Sequence, residues 1–342
     1  MHLKCECKGN AFFVILQQKG CFFIFLHYLC IRNMETLILK GQEQQVIPCV
    51  ATIGMFDGVH RGHRFVLDSV KASAQEYGLA STVITFDKHP REVIQEGWKP
   101  QLLTTYDERM SLLEETGVDR CVVLSFTREM ATLSACDFIR LMARQLGVKV
   151  LLTGYDNRFG HNRSETFDDY VRYGKEVGMR VEKLPPANTH HPEISSSVIR
   201  RLLEKGDVRE TAQCLTYPYR ITGEVVKGEH VGTRLGFPTA NLQVVDPRKM
   251  IPAAGVYAVR CMMDDGKGKV YKGMMNIGTR PTFGEHPQTL EVHLLDYRGD
   301  LYGQEITLTF VERLREERRF DSEEALKAQL EEDKRRIEIL EL

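Results

Sequence analysis

His60 and His63 stand three residues apart near the end of the stretch ATIGMFDGVHRGH, a glycine-rich turn between an apolar run and the helical pattern HRFVLDSVKASAQEYG. The backbone amides of such a turn, with the positive end of the helix that follows, favour a bound phosphate. At the start of a helix, residues i and i+3 share a face. Two imidazoles so placed can donate hydrogen bonds to a phosphoryl oxygen as charge builds on it. The pair taken alone also fits two surface histidines beside a tight turn, and the turn is neither a Walker A sequence nor GxGxxG.

Three other segments bear on that choice. VLLTGYDNRFGHN places Asp156, Arg158 and Phe159 just past a buried strand, where ligands bind in open α/β sheets; its plainer reading is a turn with a solvated ion pair. ISSSVIRR sets the hydroxyls of Ser195, Ser196 and Ser197 at a helix start with Arg200 following. That arrangement suits a triphosphate, although ordinary N-capping needs only one of the serines. ITFDKHPREV adds Asp87 and His89 after another strand.

A second group of candidates lies beyond residue 220. GEVVKGEHVGTRLGFPTANL holds Gly228 and Gly236 in a glycine-rich loop, then a turn fixed by Pro238 that presents Thr239 and Asn241. Glycines let backbone amides approach phosphates, and a hydroxyl with an amide oxygen can serve Mg²⁺, which prefers oxygen ligands. A barrel turn with a self-bonded asparagine has the same composition. In TLEVHLLD, alternation puts Leu290, Val292 and Leu294 on one face and Glu291 with His293 on the other. A carboxylate facing a ligand cleft could take the proton of an attacking hydroxyl; one on a solvated outer face could not.

These residues need elements to hold them. The 342 residues suggest about two domains. A hydrophobic content of 42% and a charged content of 27% are those of a globular chain, which excludes disordered, collagenous and multi-span membrane classes. A net charge of −1 supplies no global attraction to nucleic acid or anionic lipid, so phosphate chemistry must be local. Nine cysteines with no CxxC pair suggest free thiols in a reducing cytosol rather than zinc or a disulfide framework. Residues 1–33 carry the apolar segments AFFVIL and CFFIFLHYLCI. A secretory signal is a weak fit there without a small-x-small cleavage site, and an upstream extension is the preferred reading.

From 46 to 182, short apolar runs alternate with helical patterns, the rhythm of a parallel sheet with helices on both faces. ISSSVIRRLLEKGDV reads as a serine-capped helix ending at Gly206. After Tyr217 the pattern becomes alternating strands with glycine-rich turns, an antiparallel barrel or sandwich. The tail DSEEALKAQLEEDKRRIEILEL is a charged amphipathic helix, expected on the barrel's outside.

The strings GMFDGVHRGH, TFDKHP, GYDNRFG and ISSSVIR resemble the nucleotidylyltransferase superfamily, with its HxGH motif, and in particular the adenylyltransferase module of the bacterial bifunctional riboflavin kinase and FMN adenylyltransferase family. The run from GEVVKG through PTANL, GVYAV, MNIGTRPTF and EVHLLD to ERLREERRF resembles the riboflavin kinase module of the same family. The resemblance implies a Rossmann-like nucleotidylyltransferase domain over 34–215 and a kinase barrel with a C-terminal helix over 216–342. It implies a cytoplasmic enzyme that turns riboflavin and ATP into FMN, and FMN and ATP into FAD, with Mg²⁺ at both sites and no nucleic-acid or membrane partner.

By position, His60 and His63 would stabilise the α-phosphate of ATP. Gly54, Phe56, Asp57, Gly58, Asp156, Arg158, Ser195, Ser196, Ser197 and Arg200 would bind the nucleotide of the first site. Gly228, Gly236, Pro238, Thr239 and Asn241 would bind that of the second, Thr239 and Asn241 holding the metal and Glu291 acting as base. Met55, Asn157 and Val198 depart from the family pattern of asparagine, phenylalanine and arginine. The rival readings are adenylylation of another phosphate ester, which PTAN and Glu291 oppose, and a flavin- or nucleotide-binding protein with a disabled first site, which the intact histidine pair opposes.

Overall fold

The computed structural model describes residues 34–39, 46–154, 159–161, 165–185, 194–228, 231–263, 269–279 and 288–340. The proposed extension, residues 1–33, lies outside them, as do Asp156, Asn157 and Arg158.

Six strands form the first sheet: β1 (Glu35–Leu39), β2 (Cys49–Ile53), β3 (Ala80–Phe86), β4 (Arg120–Leu124), β5 (Val148–Thr153) and β6 (Arg180–Lys183). Their order is β1-β4-β3-β2-β5-β6, and every pairing is parallel. β2 and β4 are buried along their whole length, which is why their sequences run almost continuously apolar instead of alternating. The crossovers carry α1 (Arg61–Tyr77), α2 (Pro90–Ile94), α3 (Tyr106–Glu114), α4 (Arg128–Ala131), α5 (Ala135–Gln145) and α6 (Phe167–Glu176). Thr105 and Thr166 open α3 and α6 with capping boxes completed by Glu108 and Asp169. From β2 the chain builds β3 and β4 on one side, then returns to place β5 and β6 on the other. The carboxyl ends of β2 and β5 therefore flank a topological switch point, the ligand crevice of this architecture.

The serine-capped helix expected from ISSSVIRR forms as α7 (Ser196–Glu204), with Ser195 as its N-cap. Gly206, two residues past its end, takes φ 76°. A helix not anticipated from the sequence follows, α8 (Val208–Leu215), capped by Asp207. β7 (Arg220–Val226), α9 (Val231–Arg234), β8 (Ala240–Val244), β9 (Gly255–Met263), β10 (Val270–Thr279), β11 (Gln288–Leu294) and β12 (Glu305–Arg315) come next. The six strands close a barrel in the order β10-β11-β8-β7-β12-β9, which settles barrel against sandwich. α10 (Glu323–Ile339) lies outside it, Ile337 packing with Val256, Ala258, Met274 and Leu314. Lys272 of β10 donates to the carbonyls of Glu338 and Leu340, both at 2.8 Å, and so caps the helix's negative end.

The barrel interior holds Ile221, Val225, Val259, Met275, Val292, Leu308 and Phe310. The same apolar cluster takes in Leu103, Ile199, Leu203 and Leu215 from the first half.

Candidate active sites

The turn after β2 is a strained and fully buttressed piece of backbone. Phe56 and Val59 have positive φ, at 52° and 36°, conformations that residues with a side chain keep only where the surroundings enforce them, while Gly58 at 83° takes its own without strain. Asp57 supplies the enforcement. Its carboxylate, 4% exposed, accepts from the amides of Leu103 and Thr104, each at 3.0 Å, and from the Thr104 hydroxyl at 3.1 Å. Arg200 Nη2 adds an ion pair at 2.5 Å. The Thr104 hydroxyl accepts from the Gly58 amide, the Ser196 hydroxyl donates to the Asp57 carbonyl, and the Tyr217 hydroxyl donates to the Gly58 carbonyl.

His60 is the N-cap of α1: its Nδ1 accepts from the His63 amide at 3.4 Å. That bond leaves the proton of the neutral ring on Nε2. The two imidazoles stack with centroids 3.7 Å apart, and Phe56 meets His63 edge-on at 5.1 Å. Gly62 permits this approach, since a Cβ there would come within 3.2 Å of the His60 ring. Burial pulls the His60 pKa down to about 4, with the Asp57 carboxylate opposing. Burial and the neighbouring His60 hold His63 well below the ordinary histidine range. At neutral pH both rings are uncharged, suited to donating hydrogen bonds to an anion.

Beside the turn, at the carboxyl ends of the strands, opens a cavity of about 780 Å³. Gly54, Met55, Ser197 and Arg200 line it together with the aromatic rings of Phe86, Trp98, Phe126, Phe138 and Phe159, while His60 and His63 lie outside that lining. Aromatic walls with convergent polar groups are a usual form of small-molecule site, and this cavity also takes in His89, Arg91, Lys99 and Gln101. The three serines have separate employment: Ser195 accepts from the Val198 amide as a cap, Ser196 ties α7 to the turn, and Ser197 faces the cavity. Phe56, 3% exposed, belongs to the core beneath the turn.

Arg109 was not singled out from the sequence. Its guanidinium, in a side chain 3% exposed, donates to the Met55 carbonyl at 3.1 Å and the Phe86 carbonyl at 2.6 Å, and touches the Met55 sulfur at 3.4 Å. The methionine at this position is therefore packed against a cation. His89 caps α2 through Nδ1, and lies 4.8 Å from Trp98 on the cavity wall. In the charged helix DERMSLLEETG nothing marks Arg109 as inward-facing; its signal is spatial only.

On the barrel, register brings the second group together. Asn241 of β8 pairs with Glu291 of β11, which pairs in turn with Asn276 of β10. Directly paired residues share a face, so the three polar side chains sit in one row. The Thr239 hydroxyl donates to Glu291 Oε2 at 3.4 Å. Glu291 is half-buried on the face opposite Leu290 and Val292. His293, next on that face, donates from Nδ1 to the Pro238 carbonyl at 2.8 Å and meets Phe237 edge-on, so it pins the turn carrying Thr239. Burial lowers the His293 pKa, with the Pro238 hydrogen bond opposing. A Cβ at Gly228 would overlap the Asn241 amide, so only glycine leaves that side chain its place. Gly236 has φ 84°, a conformation that favours glycine.

A buttressed glycine-rich turn at the switch point of a parallel sheet, followed by a barrel that aligns a hydroxyl, two amides and a carboxylate, is the architecture of a two-site transferase. Two family models match the chain, FAD synthetase over residues 42–198 and riboflavin kinase over residues 215–340. The bifunctional riboflavin kinase/FMN adenylyltransferase of Pseudomonas fluorescens is 39% identical over 287 residues, 83% of this chain and 90% of that one. Its counterpart in Escherichia coli K12 is 38% identical over 305 residues, 89% and 95% of the two chains. The chain belongs to the bifunctional riboflavin kinase/FMN adenylyltransferase family. A solved structure described as a macrolide-efflux protein from Streptococcus pneumoniae has the same fold, with a TM-score of 0.81, 28% identity, and coverage of 90% of this chain and 100% of that one. No helix among the described residues here is long and apolar enough to cross a membrane.

Proposed function

We propose that the chain divides its chemistry between residues 34–215, which adenylylate FMN, and residues 216–342, which phosphorylate riboflavin. The enzyme is a riboflavin kinase and an FMN adenylyltransferase: riboflavin and ATP give FMN and ADP, and FMN and ATP give FAD and pyrophosphate. The observation that carries the division is the β8–β11 register, which seats Asn241 opposite Glu291 across 50 residues of chain and beside Thr239.

In the kinase half, Glu291 takes the proton of the ribityl 5′-hydroxyl as that oxygen attacks the γ-phosphorus of ATP. Thr239 orients the carboxylate, and His293 holds the Thr239 turn through Pro238. The donors Thr239 and Asn241 are oxygen ligands, which fit a hard cation that is otherwise shared with substrate phosphates. Mg²⁺ there would neutralise charge on the β- and γ-phosphates.

In the adenylyltransferase half, a phosphate oxygen of FMN attacks the α-phosphorus of ATP and pyrophosphate leaves. No protein nucleophile takes part. His60, through Nε2–H, and His63 donate to the oxygens on which charge develops, while the aromatic cavity receives the flavin and Gly54, Ser197 and Arg200 the nucleotide; Gly58, whose amide and carbonyl are already bonded to Thr104 and Tyr217, shapes the turn and does not bind the nucleotide. Asp156 and Arg158 belong to the same assignment by resemblance. Cytoplasmic location is supported by the five cysteines among the described residues, all free thiols.

The test measures both steps in two variants of the full chain. Glu291→Ala should cut FMN formation by about 10² to 10⁴-fold and spare FAD formation from supplied FMN. His63→Ala should cut FAD formation by about 10² to 10³-fold and spare phosphorylation. A folded variant in which either change abolishes both reactions refutes the division.

A further inference from the structure

A buried lysine of the riboflavin-kinase-matched region reaches into the adenylyltransferase half. Lys249, 5% exposed, directs Nζ to the Leu103 carbonyl at 2.7 Å and to Glu108 Oε2 at 2.5 Å. Around it the backbone of Leu102 exchanges hydrogen bonds with the barrel's connecting segment, its amide donating to the Arg248 carbonyl at 2.8 Å and its carbonyl accepting from the Met250 amide at 2.9 Å. Arg248 pairs with Glu92 of α2 at 3.2 Å. The next residues, Leu103 and Thr104, are the ones whose amides grip Asp57. Their segment is thus held between the phosphate turn on one side and residues 248–250 on the other.

A charge with nine-tenths of its surface removed from water is costly unless it is paired and hydrogen-bonded. Lys249 is both, and lies 4.7 Å over the Tyr219 ring as well. The arrangement fixes where the Leu103–Thr104 amides point and hence where the Asp57 carboxylate and the Gly54–His63 turn sit. We propose that Lys249 is a positioning residue for adenylyl transfer, supplied by the kinase half to the phosphate turn through Leu103 and Asp57. This rests on the assignment of adenylylation to residues 34–215. Riboflavin phosphorylation draws on Thr239, Asn241 and Glu291, none of which is in that chain of contacts.

The experiment uses the full chain as wild type, Lys249→Met, and the double variant Glu108→Gln with Lys249→Met, in which neither buried charge is orphaned. Each receives riboflavin or FMN with ATP and Mg²⁺, and kcat and KM are measured for each step beside the thermal midpoint. A misplacement of about 1 Å can cost on the order of 10²-fold, so kcat for FAD formation should fall by about tenfold or more in both variants. The KM for ATP should move by less than about threefold. Phosphorylation should stay within about twofold. The double variant should regain thermal stability over the single one without regaining kcat, because the Leu103 carbonyl still lacks its donor; a structural role would restore both together. Unchanged FAD formation in a folded variant, equal loss of both steps, or failure of both variants to fold would each overturn the role. A wild-type chain that makes FMN but no FAD would instead overturn the functional reading beneath it.

Discussion

Replacing Asp57 by asparagine tests whether this residue acts as the clamp of the phosphate turn. The carboxylate faces donors on every side: Oδ1 takes the Leu103 and Thr104 amides and the Thr104 hydroxyl, and Oδ2 takes Arg200 and a share of the Leu103 amide at 3.1 Å. An asparagine has one acceptor oxygen and one NH₂ group. With the oxygen at the Oδ1 position, the NH₂ meets the guanidinium across the former 2.5 Å ion pair; flipped, it meets two backbone amides. Either orientation opposes donor to donor and removes a charge-assisted bond of about 1.5 to 3 kcal/mol. Arg200 keeps 24% of its side chain in solvent and can withdraw into water, so the cost stays below the ~3 to 5 kcal/mol of a fully buried broken pair. The expected loss is about 2 to 3 kcal/mol, a midpoint lower by about 3 to 4 °C if the whole chain unfolds cooperatively. Thermal unfolding followed by circular dichroism measures it, with FAD formation from FMN assayed well below the transition. FAD formation should fall with the displaced turn while phosphorylation of riboflavin persists. A midpoint within about 1 °C of wild type would show that the carboxylate does not hold the turn.

Two further outcomes follow from the same geometry. Because the folded pKa of His60 is about 4 against an ordinary 6.5, its neutral ring contributes stability that is fully present above pH 6.5. That stability is lost as pH falls toward 4, where the unfolded chain binds a proton the folded protein resists, by about 3 kcal/mol. His60→Asn, which keeps a capping side chain, should flatten the urea-midpoint profile over this range, and an unaltered slope would refute the assignment. Gly228→Ala should push the Asn241 amide from its place and lower the rate of FMN formation by about 10²-fold, with FAD formation from FMN retained; initial rates with each substrate decide it, and an unaffected kinase step would refute the role given to Gly228.

What was legible in the sequence followed the strength of its periodicity. Buried parallel strands such as CVATI and alternating barrel strands such as TLEVHLL declare themselves because one or both faces must be apolar. Serine caps and glycines at left-handed positions are equally local. The sites are a different matter. Asn276 becomes a neighbour of Glu291 only through the register of β10 against β11, and no local pattern states a register. Asp57 reads as a polar turn residue until Leu103, Thr104 and Arg200 arrive from distant parts of the chain. Arg109 in a charged helix is indistinguishable from its solvated neighbours. Three consecutive serines look equivalent in sequence but divide into a cap, a tie and a cavity wall.

The cluster that joins Leu103, Ile199, Leu203 and Leu215 to the barrel interior also sets an order of events at the ribosome. The parallel sheet is translated first, and the apolar side chains it lends to that cluster lack their barrel partners until Phe310 and the rest of β12 have been made. At about 5 to 20 residues per second the stretch from 216 to 310 takes roughly 5 to 20 s. Through that interval a nascent chain carries a sticky face that chaperones can recognise, and codon changes that slow the barrel's translation prolong it. The tempo of the second half thus sets how long Leu103, Ile199, Leu203 and Leu215 wait for their barrel partners.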